Sequence, residues 1–497
     1  MHLAELIEAV PPEHRDVRID GVVSDSRSAG PALLFVARKG TLADGHSFMA
    51  DAVQAGCAAV VGGEQPAAEI AALMRARGVA YLGVEDPARA VGELAARVNG
   101  RPSRDLTVVG VTGTNGKTTV ATLLHQLFTA LGEPSGLIAT TGIRVRGECH
   151  PNKRTTPDAV KLQRVLALMV RRGCRFCFTE VTSHAIDQQR IAGVDFDGGI
   201  FTTLDHDHLD YHGTIEAYAR VKRAFLDGLP SSAFALANAD DARGQFMVAT
   251  TRARVAFYGT GAEALLPWSV ERLDERGMVV RIGPHRVRTP LLGEHNASNL
   301  AAAITAAILL GEDLERVVAA VPHLPGARGR MQRVVSGPVL GIVDYAHTPR
   351  SLAGVVASAG RLRGGGRLIA VGGCGGDRDP EKRPEMGAAI ATADVAIFTS
   401  DNPRSEDPRA IVAAMLGGLS RARRAHVRVK LDRRDAIRHA ARIARPGDVV
   451  LLLGKGHETF QEVAGVKHPW DDAAELRRAL RPAGLRRPGL ALQGRPA

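Results

Sequence analysis

The sequence predicts an α/β protein built on parallel sheets covered by helices on both faces, and three observations carry that expectation. Apolar, strand-like runs such as "LTVVGV", "LGIVDY", "RLIAVGG", "VAIFTS" and "DVVLLLG" alternate with helix-like segments such as "RDAIRHAARIA", a pattern that buries parallel sheets between helical layers. One of these runs, "LTVVGV" at residues 106–111, passes through a glycine-rich turn directly into an amphipathic helix. The chain has 497 residues, 45% of them apolar, and no apolar run long enough to span a membrane, which gives core for roughly two to four domains. The start "MHLAELIEAV" lacks the basic-then-apolar order of an export signal, so a cytoplasmic location is expected.

Three blocks follow along the chain, with no internal repeat. The first, 1–99, mixes short runs such as "ALLFVA" and "AAVVGG" with glycine-rich turns and ends at the linker-like "VNGRPSRD". The second, 100–331, opens at the strand before the glycine-rich turn. The third, 332–497, holds the remaining strand–helix alternation and a basic tail.

The formal net charge of +11 raises nucleic acid as a partner. Much of the excess, however, sits in "SRARRAHVRVK" and in the C-terminal "LRRALRPAGLRRPGLALQGRPA", and aromatic residues are only 4% of the chain. That distribution fits a solvated helix face and a tail, with small polyanions as substrates, better than a base-stacking surface. Five cysteines include one C-x-x-C, Cys174 and Cys177, inside the strand-like "CRFCFTEV". Without a second pair they read as buried reduced thiols and not as a zinc or redox site.

The strongest local signal is "GTNGKTT", residues 113–119. Gly113, Thr114, Asn115 and Gly116 allow backbone N–H groups to close around phosphates at the positive end of a helix. Lys117 reaches the outer phosphate oxygens, and Thr118, followed by Thr119, supplies a hydroxyl to Mg²⁺. In the usual spacing a glycine stands at 111; here that residue is Val111 and the glycine is Gly110. Apolar residues at 120, 123, 124, 127, 128 and 131 mark the helix face, and Gly132 can end it. Such a loop alone leaves kinase, GTPase, ATPase and ligase open, although no guanine-reading N-K-x-D follows it.

Two acidic and histidine-rich stretches follow strand-like runs. "FTEVTSHAIDQQR" places Glu180 at a strand's carboxyl end, and "FTTLDHDHLDYHG" brings Asp205, His206, Asp207, His208, Asp210 and His212 together. This density suits metal or proton-transfer chemistry more than surface decoration. Lys222 in "YARVKRAF", read from its helix alone, is a solvated surface lysine.

Taken in order, "GTNGKTT", "EVTSH", "DHLDYHG", "YARVK", "GEHNASN", "GRM", "DYAHTP", "GGDRDPEKRPEMG", "DNPR" and "GKGHE" resemble the Mur ligase family over nearly the whole chain. The resemblance implies a three-domain architecture with a central P-loop ATPase-like parallel sheet and a Rossmann-like C-terminal domain. It implies an ADP-forming, ATP-dependent acid–amino-acid ligase that works through an acyl phosphate in peptidoglycan precursor synthesis, with Mg²⁺ as cofactor and a monomer as the expected state. Ser24 and Ser26 of "SDSRS" and the loop "GTLADGH" match positions at the UDP end of a muramoyl dipeptide substrate. Thr155, Thr156, Thr182, Gln188 and Arg190 match positions gripping the dipeptide, with Thr182 where serine is usual. Asn296, Asn299 and Asp344 match nucleotide contacts. Lys222 matches a lysine carbamoylated by CO₂, which with Glu180 and His208 would hold one metal while Thr118 holds another. Gln332 stands where relatives commonly carry glutamate.

The loop "SDNPRSEDP" carries both signs of charge, and diaminopimelate, with two amines and two carboxylates, needs both. By resemblance Arg378, Asp401, Asn402, Pro403, Arg404, Gly454 and Glu458 form its site, Arg404 clasping the distal carboxylate and Glu458 the amine. Competing readings are a lysine-adding or folylpolyglutamate-type ligase, against which "DNPR" with "GKGHE" speaks, and a catalytically silent scaffold, against which Lys117, Glu180, His208 and Lys222 speak.

Overall fold

The computed structural model describes residues 1–40 and 43–480. Thr41 and Leu42 of "GTLADGH", and the tail from residue 481, lie outside the described residues. Strands β1 (Gly21–Val23), β2 (Leu33–Ala37), β3 (Ala59–Gly62) and β4 (Ala80–Gly83) form a sheet in that order, every neighbour parallel. The run "LLFVA" is buried along β2 on both faces, as a central parallel strand requires.

The second sheet comprises β5 (Thr107–Thr112), β6 (Ser135–Ala139), β7 (Gly142–Val145), β8 (Glu148–His150), β9 (Phe176–Glu180), β10 (Gly198–Phe201), β11 (Phe234–Asn238) and β12 (Arg254–Tyr258). Its order is β12-β11-β10-β5-β9-β6-β7-β8, parallel from β12 to β6 and antiparallel through β7 and β8. The sheet order jumps at β5, which lies between β10 and β9, so the loops leaving these three carboxyl ends meet where α/β folds bind ligands. The helix Lys117–Ala130 covers β5 and β9 with Val120, Leu123, Leu124, Leu127 and Phe128, all buried. Gly110 is a strand residue: a Cβ there would lie 2.5 Å from the Phe225 ring. This corrects its reading as a displaced phosphate-loop glycine, because its smallness serves helix packing.

A three-stranded sheet follows, β13 (Trp268–Asp274), β14 (Gly277–Ile282) and β15 (His285–Thr289), in that order. The fourth sheet contains β16 (Gln332–Val335), β17 (Leu340–Val343), β18 (Leu368–Gly372), β19 (Val395–Phe398), β20 (Val427–Val429) and β21 (Val449–Leu452). Its order is β16-β17-β21-β18-β19-β20, with only β16 antiparallel to its neighbour. A hairpin of β22 (Phe460–Val463) and β23 (Val466–Pro469) completes the strands.

The chain divides into two compact units. The first takes Met1–Ser269, Arg281–Val287 and Ser298–Leu324, and so contains the first two sheets; the second takes Val270–Val280, Arg288–Ala297 and the chain from Pro325. Among the described residues no helix is long and apolar enough to cross a membrane. Cys174 and Cys177 are buried free thiols pushed upward by burial, as the sequence suggests.

Candidate active site

In the first unit the loop after β5 turns through Gly113 (φ +140°) and Gly116 (φ +91°), conformations that favour glycine. There is also no room for more: a Cβ on Gly113 would sit 2.0 Å from Thr202 Oγ1, and one on Gly116 would sit 2.6 Å from Asn299 Oδ1. Lys117 Nζ donates to the Gly113 and Thr114 carbonyls, both at 2.8 Å. Thr118 and Thr119 are buried in the first turn of the helix. Asn115 lies against β10's end, its carbonyl accepting from the Thr202 and Thr203 hydroxyls.

Lys222 overturns the reading of it as a solvated surface residue. It stands on the buried face of the helix Ile215–Asp227, in line with Tyr218, Ala219, Phe225 and Leu226, and its side chain is fully enclosed. Its Nζ donates to Gly113 O at 2.8 Å, the same carbonyl that Lys117 uses, and lies 4.4 Å above the Tyr218 ring centroid. Burial, reinforced by Lys117, pushes this amine well below its ordinary range against the pull of Asp207. No ion pair reaches it among the described residues, so the neutral amine is favoured there.

Glu180 closes β9 opposite Val111 of β5 and is buried. Its Oε1 accepts from Thr140 N at 2.7 Å and Thr140 Oγ1 at 3.0 Å, while Thr155 Oγ1 lies 3.0 Å from that same hydroxyl. Thr140 sits in the tight turn joining β6 to β7 and was not among the residues expected from sequence. Thr156 Oγ1 donates to Glu180 O at 2.8 Å and accepts from Thr182 N at 3.1 Å; Thr182 Oγ1 in turn caps the helix Ser183–Asp187 through Ala185 N. The hydroxyl that threonine keeps at 182 therefore has a structural task, and the extra methyl does not prevent it.

His208 takes a left-handed backbone (φ +53°) with 47% of its side chain exposed, its Nε2 3.5 Å from Asp207 Oδ2. Partial burial pushes its imidazole down to about 4, with His184, Lys117 and Lys222 adding to the effect and Asp207 opposing it. His184 packs edge-on against it at 4.8 Å between ring centroids, and His212 Nε2 lies 3.0 Å from Ser183 Oγ. Among the described residues no three His, Cys, Asp or Glu side chains form a ready metal cluster. The oxygen donors present, the Thr118 hydroxyl and the Glu180 carboxylate, suit Mg²⁺ in kind.

Gln188 and Arg190 meet directly, the guanidinium donating to Gln188 Oε1 from Nε (3.1 Å) and Nη2 (2.5 Å) and to Thr156 O from Nη1 (3.4 Å). Arg38 and Arg154, which sequence reading missed, stand near enough to lower Arg190 further below its ordinary value after burial, with Asp158 opposing. Three guanidiniums against one carboxylate make a cationic wall. Ser24 and Ser26 flank Asp25 just beyond β1, in the turn that Asp25 caps through Arg27 N.

Of the expected nucleotide residues, Asn296 and Asp344 bond to backbone groups. Asn296 is buried with Nδ2 donating to Leu292 O at 2.8 Å, and Asn299 is also buried. In the second unit Asp344 accepts from Met331 N (2.6 Å) and Ala346 N (2.7 Å). Gln332 Oε1 accepts from Gly329 N at 2.9 Å, a bond that a glutamate oxygen could make equally well.

The loop 400–404 in the second unit runs along the loop 373–378: Gly376 N donates to Asn402 O at 2.9 Å, and Arg404, at φ +51°, donates from Nη1 to Gly376 O. Its Nε lies 3.8 Å from Glu462 Oε2, and Pro403 is buried beside it. Arg378 is exposed. Asp401 is buried, and a Cβ on Gly454 (φ +100°) would meet its Oδ2 at 2.3 Å. Burial raises the Asp401 carboxyl, with Lys455 and Arg433 pulling it back.

The sequence reading gave Glu458 alone to the acceptor amine, and here the structure adds a partner that it missed. Lys455, with 0% of its side chain exposed, donates to Glu458 Oε2 at 2.9 Å and to Asn402 Oδ1 at 2.8 Å and lies 3.9 Å from Asp401 Oδ1. Its signal was the lysine in "GKGHE". Below the set, Arg433 and Asp472 form a fully buried bidentate pair, Nε to Oδ1 at 2.8 Å and Nη2 to Oδ2 at 2.6 Å.

Family models match in three stretches: the Mur ligase family catalytic domain at 18–99, the Mur ligase middle domain at 111–307, and the Mur ligase glutamate ligase domain at 329–456. A Cytophaga hutchinsonii protein named "UDP-N-acetylmuramoyl-L-alanyl-D-glutamate--2,6-diaminopimelate ligase" is 42% identical over 467 residues, 94% of this chain and 95% of the relative. A Chromobacterium violaceum protein of the same name is 43% identical over 480 residues, 94% of this chain and 95% of that one. A solved structure with that name superposes with a TM-score of 0.72 at 33% identity, over 97% of this chain and 98% of the other. A Thermotoga maritima MurF ligase in complex with ADP shares the fold, at a TM-score of 0.62, 18% identity, and 93% and 97% of the two chains. The chain belongs to the Mur ligase family.

Proposed function

We propose that this protein is the ligase that joins meso-2,6-diaminopimelate to the D-glutamyl γ-carboxylate of UDP-N-acetylmuramoyl-L-alanyl-D-glutamate, converting ATP to ADP and phosphate. The observation that carries the reading is the loop 400–404, which carries the Arg404 guanidinium and the Asp401 carboxylate together and reaches the Glu458 carboxylate through Asn402 Nδ2. Relatives of this name, alike over nearly the full chain, support it.

A carboxylate resists attack by an amine, so it is first phosphorylated by ATP and the amine then displaces phosphate. The N–H groups of Gly113 and Gly116 and the Lys117 ammonium would meet the moving phosphoryl group, while Thr114 N and Asn115 N hold the loop to Thr203. Bound Mg²⁺ would be held by oxygens of Thr118, Glu180 and a Lys222 carbamate with His208 beside them, and it would neutralise phosphate charge. Lys222 forms its carbamate by attack of the neutral amine nitrogen on CO₂ with loss of one proton, and the enclosed amine, with no ion pair among the described residues, supports that chemistry. The cationic wall of Arg38, Arg154 and Arg190 suits the diphosphate-bearing substrate, with Ser24, Ser26, Thr155, Thr156, Thr182 and Gln188 as neighbours in that role. In this reading residues 1–99 bind the UDP end, 100–331 bind ATP through Asn296 and Asn299 among others, and 332–497 bind the amino acid and add Asp344 to the nucleotide contacts.

The test is ADP release with the UDP-linked dipeptide and, separately, diaminopimelate, lysine, glutamate or no acceptor. Turnover with diaminopimelate alone is the expected result. A preference for lysine, or equal ATP consumption without any acceptor, would contradict the reading.

A further inference from the structure

Outside the phosphate loop, the other buried lysine engaged with functional residues is Lys455, and it does not face solvent. It lies beneath Glu458, whose side chain is 20% exposed while that of Lys455 is 0% exposed. Both donors aimed at Glu458, Lys455 Nζ at 2.9 Å and Asn402 Nδ2 at 2.8 Å, use Oε2. Glu458 Oε1 has no protein partner among the described residues. Two donors on one oxygen fix the plane of the carboxylate and leave the other oxygen as its presented face.

The same lysine decides how Asn402 points. Asn402 Oδ1 accepts from Lys455 Nζ at 2.8 Å and from Glu462 N at 2.9 Å, so the amide nitrogen is the end turned to Glu458. A side chain with oxygen and nitrogen nearly alike in shape is thereby held in one sense. Lys455 is itself settled by the carboxylate of Asp401 at 3.9 Å and by the Phe460 ring at 6.0 Å.

We infer that Lys455 is a positioning residue for the acceptor amino acid: it locks Glu458 through Oε2 and orients Asn402, so that Glu458 Oε1 is presented to the acceptor's ammonium group. It touches no substrate. The inference rests on the acceptor-site reading given above. It extends that reading by assigning acceptor recognition to an ion pair built into the protein before the acceptor arrives.

The experiment compares wild-type enzyme, Lys455→Met, Glu458→Gln and the double variant, with KM measured for ATP, the UDP-linked dipeptide and diaminopimelate. Wild-type turnover dependent on diaminopimelate is established first; its failure would sink the proposed function and this inference with it, whereas the outcomes below, in an enzyme that uses diaminopimelate, overturn this inference alone. Lys455→Met is expected to raise the diaminopimelate KM about thirtyfold, with the other two KM values within about twofold and kcat within about threefold. Because Lys455 acts through Glu458, the double variant should resemble the worse single variant and not multiply the two effects. An unchanged diaminopimelate KM, a uniform change in all three KM values, or multiplying effects would each overturn the assignment. A crystal structure of the wild-type protein with diaminopimelate gives a reading that depends on no variant folding. Lys455 on Oε2 with the ligand's ammonium on Oε1 supports the inference, and Lys455 bonded to the ligand itself overturns it.

Discussion

Two lysines are fully enclosed among the described residues, and their surroundings differ in sign. Lys222, in the first unit, has a backbone carbonyl at 2.8 Å, an aromatic ring and a second lysine as its near environment. Lys455, in the second unit, has two carboxylates and an amide oxygen. A buried charge that is unpaired is costly and tends to neutralise, whereas a paired one holds its partners in place. The difference teaches that burial of a lysine is not itself a mark of function: the absence of counter-charge marks the reactive amine, and its presence marks the scaffold of a binding site.

The largest effect should come from breaking the first environment. Lys222→Ala is expected to lower ligation by about a thousandfold or more, as loss of a metal-holding group does, with partial rescue by added short carboxylic acids in an ADP-release assay. Full activity in the untreated variant would return Lys222 to a packing role. In the second unit, Arg404→Ala should raise the diaminopimelate KM about a hundredfold, as loss of a charge-assisted pair of about 3 kcal/mol does, while the ATP KM holds; an unaltered diaminopimelate KM would remove Arg404 from the site.

A smaller effect probes the glycine on which the acid set rests. Gly454→Ala forces a left-handed residue and a contact with Asp401 Oδ2. Chemical denaturation should show a loss of about 2 kcal/mol, and an unchanged midpoint would mean that the loop relaxes freely. The smallest effect at neutral pH concerns His457, two residues beyond Lys455 and with no carboxylate partner among the described residues. Burial pushes its imidazole down to about 3, with Arg330, Arg328 and His347 adding to the effect. The unfolded chain takes up this proton near pH 6.5 and the folded chain does not, so stability falls as pH drops from about 6.5 towards 3. His457→Gln should flatten that slope by up to about 1.4 kcal/mol per pH unit, as read from denaturation midpoints at several pH values.

Local features were legible from sequence. The strand, glycine turn and helix of 106–132 appear as read, with the apolar positions 120, 123, 124, 127 and 128 buried, because their periodicity is set within a few turns of chain. What escaped depends on long-range contacts. Thr140 meets Glu180 across 40 positions, and Lys455 meets Asn402 across 53. Arg38, just after β2, and Arg190, in the turn after the helix Ser183–Asp187, come near one another only on folding. The antiparallel pair β7 and β8 also went unread, since "GIRV" and "ECH" are too short and too polar to show a strand pattern. Lys222 received a role only through resemblance, although the spacing of Tyr218, Ala219, Phe225 and Leu226 puts position 222 on the apolar face of its helix.

The most direct measurement of the contrast between the two lysines is ¹³C NMR of the protein equilibrated with ¹³C-bicarbonate. The account predicts a carbamate resonance in the wild type and in Lys455→Met that disappears in Lys222→Ala. No carbamate resonance in the wild type, or one that survives Lys222→Ala, would contradict it.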